Sequence, residues 1–501
     1  MSTNGMAVMN IGGIGTRSAL GVQSLVEMRR QLDDLQRQLS TGKKSVTYAG
    51  LGLDRGLLVG LKNRFTTLEA FENSIDNVNV RLNVAQTSLG RLTELRGTVK
   101  SAAFQSSIQG DGSTMAQTTA SASLNEMLGL LNTEIGDRYL FSGLAADKPS
   151  VASFDLIMDG DATHAGFKQI VSERKQADLG TLGRGRMVIT APTVTSVQVA
   201  EEAPPTVFGF KLASITSGLA NTTTTGPAGA PPAMSVDFTA PPNAAESIEF
   251  RFNLPDGSSE VIKLTATTST TPGPNEFTIG VDAATTAANL QASLTTSIQT
   301  LANTSLTAAS AVVAADNFFN GTPQRVSGPP ATATALVAGT PANTVSWYIG
   351  ENGPDPARST ATARVDTSLA VSYGMRANEE GIRWVIQNVA ALAVVTYAPS
   401  DPDALARSAA LTSRIGSKLA IPAGTQKIED IEGELAAAQV TLQGAADRHQ
   451  QTKSTLSGMM EKIEGVSTEQ VAAEILALQT RLQASLQTTS LLYQTSLVNY
   501  L

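Results

Sequence analysis

Apolar residues recur at helical spacing at both ends of the chain. Near the start they lie three and four positions apart, which is typical of a helix with a single apolar seam. The last forty residues repeat the pattern. Because each seam leaves a stripe that must be covered, we predict that the two terminal helices form an interface between subunits. The predicted assembly residues are Leu25, Met28, Leu32, Leu35, Leu39, Val471, Ile475, Leu478, Leu482 and Leu492.

Two longer seams lie inside these ends, from about 64 to 109 and from about 428 to 463. Helices of that length are not stable alone in water, so we predict that the two pair within the chain. A third helix is predicted over about 115–135. The predicted bundle core is Leu68, Phe71, Ile75, Val78, Leu82, Leu89, Leu92, Ile428, Ile431, Leu435, Leu442, Leu456, Met459 and Ile463.

The middle of the chain has a different pattern. All 21 prolines lie between Pro149 and Pro422, which confines long helices to the flanks. Alternation over 247–254 and 260–265, around the turn Pro255-Asp256-Gly257, predicts a β-hairpin. Further elements are predicted as a helix at 282–301, strands at 344–349 and 368–373, a helix at 377–395 and a flexible linker at 222–234.

These elements predict a mainly α fold. It is a long, coiled-coil-like antiparallel helical bundle formed by both chain ends, with an inserted outer α+β domain. The predicted domains are a terminal assembly core (1–45 with 466–501), a long-helix bundle (46–180 with 377–465) and the insertion (181–376).

Composition excludes several classes of partner and binding site. The chain has 36 basic and 44 acidic residues, a net charge of −8, and no dense basic stripe, so we expect no nucleic-acid partner. It has no cysteine and two histidines, which excludes a disulfide framework and thiolate metal sites. His449 fits a polar register position in the third seam better than a ligand site.

Catalytic and membrane signals are also missing. The run Gly12-Gly13-Ile-Gly15 lacks the preceding strand and the third glycine of a dinucleotide loop. We therefore expect no enzyme activity, no catalytic residues, no cofactor and no metal. No apolar run approaches the roughly 18 residues that a spanning helix needs, and the first residues do not fit a cleaved signal peptide. We expect no membrane insertion.

Four short motifs resemble a known family. They are Gln36–Lys43 (QRQLSTGK), Asp137–Gly143 (DRYLFSG), Tyr373–Gly381 (YGMRANEEG) and the ending 496–501 (SLVNYL). Together they resemble the flagellin superfamily of bacterial flagellar axial proteins, most closely its hook-associated members at the hook–filament junction. The segment Thr47–Gly56 departs from the D-D-A-A-G-L pattern of common filament flagellins.

The resemblance implies a structural protein of the flagellum that joins hook to filament by polymerising through its terminal helices. It implies export unfolded through the type III apparatus, an extracellular location and terminal helices that fold only on docking. The implied partners are copies of itself, the hook protein or other hook-associated proteins, flagellin, and an export chaperone. The alternatives are a filament flagellin and, more remotely, a secreted adhesin whose insertion binds a surface.

Overall fold

A computed structural model describes residues 12–104, 108–109, 112–398 and 400–498. About 53% of the chain is helical and about 16% is strand, so the fold is mainly α with some β-sheet, as predicted. The side chains of 12–19 and 492–498 are outside the described set, which excludes the predicted assembly residue Leu492.

The helices follow the predicted seams and add others. In chain order they are α1 (Gly12–Thr41), α2 (Arg55–Ala102), α3 (Met115–Leu131), α4 (Phe154–Asp159), α5 (Phe167–Leu179), α6 (Ala283–Leu301), α7 (Thr307–Phe319), α8 (Glu380–Val394), α9 (Ala404–Lys418), α10 (Ile428–Glu464) and α11 (Thr468–Val498). A π-helical segment, Ala302–Leu306, joins α6 to α7.

The strands are short and lie in the middle of the chain. They are β1 (Met187–Thr190), β2 (Ser196–Glu201), β3 (Lys211–Ser217), β4 (Thr222–Ala228), β5 (Ala233–Phe238), β6 (Ser247–Asn253), β7 (Ser259–Thr267), β8 (Glu276–Thr278), β9 (Gln324–Val326), β10 (Leu336–Ala338), β11 (Thr362–Arg364) and β12 (Ala370–Ser372). Two four-stranded sheets have the orders β1-β2-β5-β4 and β3-β6-β7-β8.

The predicted hairpin is confirmed as β6 and β7. The two strands are antiparallel, with Phe250 opposite Ile262, and both side chains are buried. The predicted helix behind it is α6, whose first turn is capped by the side chain of Asp282 accepting from the amide of Thr285 at 2.7 Å. Apolar side chains of α6 and of both sheets form one core cluster.

Two predictions about the middle are wrong. The supposed linker at 222–234 contains β4 and the start of β5, because four consecutive threonines favour an extended backbone and β5 supplies hydrogen bonds along it. The predicted strand at 344–349 makes only isolated bridges, through Thr344 and Tyr348, because no neighbouring strand runs beside it.

Contacts divide the chain into two units. The first comprises residues up to 77, residues 364–369 and residues from 441 onward, and the second comprises 78–363 and 370–440. The division falls inside α2 and α10, whereas the predicted boundaries of the terminal assembly core fall before α2, at 45–46, and just after α10, at 465–466.

In each unit, segments of α2 and α10 run antiparallel. In the first unit Lys453 bonds to Glu72 at 2.7 Å and Lys62 bonds to Glu464. In the second, the side chains of Gln439 and Asn83 bond at 2.7 Å, and Arg96 donates to Glu429 at 2.8 Å. In these pairs the residue number on α10 falls as the residue number on α2 rises, which is the order that antiparallel helices give.

Most of the predicted bundle core is buried. Phe71 and Ile463 are half-buried, and Met459 is 49% exposed, so its assignment to the core is wrong for the single chain. Ile463, the next residue of this seam, is also only half-buried, so the packing of α10 loosens after Leu456, toward the end of the helix. The buried members are Leu68, Ile75, Val78, Leu82, Leu89, Leu92, Ile428, Ile431, Leu435, Leu442 and Leu456.

Candidate assembly interface

The N-terminal helix ends at a glycine in the first motif. Gly42 follows α1 with a φ of +68°, and its amide donates to the carbonyl of Gln38 at 2.8 Å. A left-handed residue at this position closes a helix, and glycine adopts it without steric strain. The S-T-G part of the motif thus ends α1 at a defined residue.

Two backbone hydrogen bonds then join the chain ends. The amide of Lys44 donates to the carbonyl of Glu464 at 2.7 Å, and the amide of Val466 donates to the carbonyl of Gly42 at 3.1 Å. Residues 42–44 and 464–466 form the joint, where the end of α1 meets the break between α10 and α11. The glycine at 465 is needed, because a Cβ there would lie 2.5 Å from the carbonyl oxygen of Glu461.

A carboxylate strengthens the joint. Glu464 accepts a hydrogen bond from Lys62 of α2, and its other oxygen lies 3.2 Å from the ammonium of Lys43. The bond from Lys62 lowers the pKa of Glu464, burial opposes that effect, and Lys43 lowers it further. The same bond raises the pKa of Lys62. One side chain therefore ties the ends of α1, α2 and α10 together.

From the joint, α1 and α11 lie in contact along their apolar seams. Val471, Ile475 and Leu478 are buried in the single chain, so the expectation that they await another subunit is wrong. The apolar seams of α1 and α11 cover each other in the single chain, and folding of the two helices on docking stays a prediction. The other predicted residues are less covered: Leu25, Met28, Leu32, Leu35 and Leu482 are half-buried and Leu39 is exposed.

Other apolar side chains on the same two helices are not covered. On α1, Leu20 is 64% exposed, Val22 53% and Val26 46%. On α11, Leu476 and Leu486 are at least half exposed. We call these five the uncovered set. None of the five is among the predicted assembly residues, although the four-residue spacing of Val22 and Val26 is typical of a second apolar row.

The segment between α1 and α2 is also apolar and exposed. Val46 and Tyr48 in this segment, and Leu57 and Val59 at the start of α2, are about half exposed or more, and Leu53 is fully exposed beside the left-handed Gly52. Half of the exposed large hydrophobic side chains in the described residues lie in the first unit, which holds under a third of the chain. Concentrated apolar exposure of this kind marks an interaction surface.

The two histidines have separate surroundings. The Nε2 of His449 is 2.7 Å from the carbonyl of Val365, and the ring stacks on Phe71, so the side chain has both a polar and a packing contact inside the first unit. His164 pairs with Asp161 at 2.7 Å in an exposed loop.

Within residues 12–104, 108–109, 112–398 and 400–498, no group of three or more acidic or histidine side chains could hold a metal ion. Over those same ranges, every helix is too short or too polar to cross a membrane.

Two comparisons with known proteins give no match. A scan against models of protein families finds none that fits this chain. No curated protein matches its sequence either.

Proposed function

We propose that the chain is a structural axial protein of the bacterial flagellum that joins hook to filament by polymerisation. In this proposal α1 and α11 form a coiled-coil pair, and neighbouring copies cover the apolar side chains that the pair leaves exposed. The supporting observation is the concentration of exposed apolar residues in the first unit, on both terminal helices and on the segment that follows α1.

The argument for polymerisation is physical. Two paired helices bury one row of each helix and leave the opposite rows in water. Each of the uncovered set would gain about 1 kcal/mol or more from being buried by a neighbour. In a monomer these apolar side chains stay in water. In a multi-chain tube each subunit has neighbours on several sides that can cover them.

The flagellar assignment comes from the motif resemblance, and the joint agrees with it. The S-T-G-K motif contributes Gly42, whose carbonyl accepts from the amide of Val466 just before α11, and Lys43, which pairs with Glu464 at the end of α10. The proposal places the protein outside the cell, exported through the flagellar apparatus with a chaperone. Its partners are copies of itself, the hook or its associated proteins, and flagellin. It assigns no enzymatic activity and no cofactor.

A gene deletion separates this proposal from its closest alternative, a filament flagellin. Loss of a junction protein leaves hooks intact and releases flagellin into the medium, because filament subunits have no adaptor on which to assemble. Loss of a filament protein leaves a hook that still carries its junction. Deletion with normal filaments and normal motility would contradict both.

A further inference from the structure

The second four-stranded sheet has an edge that is only partly paired. Strand β8 pairs with β7 only at Thr265, Ala266 and Thr267, so residues 259–264 of β7 extend past it. A strand edge without a partner carries a row of amide and carbonyl groups that another extended segment can pair with.

The direction of the backbone groups on β7 follows from its observed bonds. The amide of Ala266 donates to Glu246, beside β6, at 2.8 Å, and the amide of Thr265 donates to Asn275, on the β8 side, at 2.9 Å. Because successive residues of a strand alternate, Val261 and Lys263 direct their amides and carbonyls to the β8 side. Across the described ranges no hydrogen bond occupies these groups.

A groove of about 520 Å³ runs along this edge. Its floor includes Val261, which is 38% exposed, and its far wall is a row of hydroxyl side chains on α6 (Ser293, Ser297 and Thr300). These residues recur three and four positions apart, so they share one face of the helix. The volume falls within the range of about 300–1,000 Å³ that ligand sites have.

One end of the groove is closed by a built wall. The loop at 272–275 lines the groove, and the amide of Gly273 donates to the carboxylate of Glu276 at 2.9 Å. The hydroxyl of Thr278 holds the start of the same loop by donating to the carbonyl of Ser269 at 2.7 Å. Glu276 is the only charged side chain in the groove lining, among the described residues.

One common protection of an open edge, a lysine charge over it, is missing. Lysine on an edge strand commonly repels other strands. Here Lys263 pairs with Glu249, its partner on β6, at 3.2 Å, so its charge lies over β6 and not over the open edge.

We propose that this groove binds an extended, uncharged peptide segment of a partner protein by adding it as a strand to β7. The backbone of Val261 and Lys263 supplies the hydrogen bonds, and the hydroxyl row of α6 favours small polar side chains. The segment pairs opposite residues 261–264, which span about 13 Å at roughly 3.3 Å per residue. The proposal does not depend on the flagellar function.

The test is hydrogen–deuterium exchange on the full chain with a blocked hexapeptide of alternating threonine and valine. We expect exchange at the amides of Val261 and Lys263 to slow about tenfold at saturating peptide, because each amide gains a partner. The same peptide with alternate amides N-methylated cannot pair, and it should give no protection.

A variant of the chain provides a second control. Val261→Pro removes one outward donor and leaves the ladder to β6 intact, since proline is tolerated on an edge strand. It should weaken peptide binding about tenfold, whereas Val261→Thr should bind like the native chain. If Val261→Pro does not fold, comparing the native chain with the plain and the N-methylated peptide still tests the proposal.

Three results would overturn the proposal. One is the absence of protection at millimolar peptide. Another is equal protection by the N-methylated peptide. The third is protection of Val261 and Lys263 without peptide that grows with protein concentration, which would mean that a second copy of the chain occupies the edge.

Discussion

The uncovered set on the terminal helices gives the sharpest prediction. Changing Val22 and Val26 together to serine should weaken polymerisation and leave the folded monomer as stable as before. Serine and valine have similar helix propensities, so α1 itself should be unaffected. Neither valine is buried in the single chain, so no packed contact is lost.

The size of the effect follows from the exposed fractions. Full burial of an aliphatic side chain stabilises by about 1.5–3 kcal/mol. Val22 is 53% exposed and Val26 is 46% exposed, so covering the remainder is worth about 1 kcal/mol at each. Losing about 2 kcal/mol per subunit raises the critical concentration for assembly about thirtyfold.

The assay measures unpolymerised protein after sedimentation over a concentration series, with denaturant unfolding of the monomer in parallel. Leu478→Ala is the contrasting variant, because Leu478 is buried against α1 and its loss should reduce both monomer stability and assembly. An unchanged critical concentration for the double serine variant, with Leu478→Ala impaired, would refute the reasoning that neighbours cover the outer row.

Three further predictions concern the first unit. Gly42→Ala should destabilise the joint by about 1 kcal/mol because φ is +68°, whereas Gly21→Ala, inside α1 with open space around it, should stabilise the helix by a similar amount; thermal unfolding measures both. Because the pKa of Glu464 is lowered in the folded chain, its bonds contribute stability above the ordinary carboxyl pKa. That contribution is lost as the pH falls through the lowered value, so a Glu464→Gln variant should show a weaker acid-induced loss in unfolding experiments from pH 7 to pH 3. His449→Phe keeps a ring but leaves the buried Val365 carbonyl without its partner, and should lower the free energy of unfolding by about 1–3 kcal/mol in denaturant titrations.

Each of these has a contrary outcome. Equal effects of the two glycine substitutions would mean that backbone conformation at 42 is not constrained. Identical acid profiles for the native chain and the Glu464 variant would remove the carboxylate from the joint. A His449→Phe variant as stable as the native chain would show that its hydrogen bond contributes nothing net.

The long helices were predictable because their apolar periodicity is local and repeated. The seam through Leu68, Ile75 and Leu82 indicates α2 without reference to any partner. The hairpin was predictable for the same reason, since alternation and a Pro-Asp-Gly turn are short-range signals. Helix α7 was missed because it is apolar on nearly all sides and buried, so it has no clear periodicity.

The joint could not be derived from the sequence pattern. Glu464 meets Lys43 and Lys62 across about four hundred residues, and nothing in a local window relates them. The uncovered set lies outside the one apolar seam per helix that the heptad spacing indicates, so that spacing did not predict it. Heptad spacing indicates that an apolar stripe must be covered, but it does not show whether the same chain or another chain covers it. For this reason Val471, Ile475 and Leu478 were predicted to contact other subunits.

The most direct test of the central proposal is where the protein lies on an isolated flagellum. Gold-labelled antibodies against the chain, viewed by electron microscopy, should mark the boundary between hook and filament. Label along the whole filament would contradict the junction assignment, and label confined to the cell body would contradict an axial role altogether.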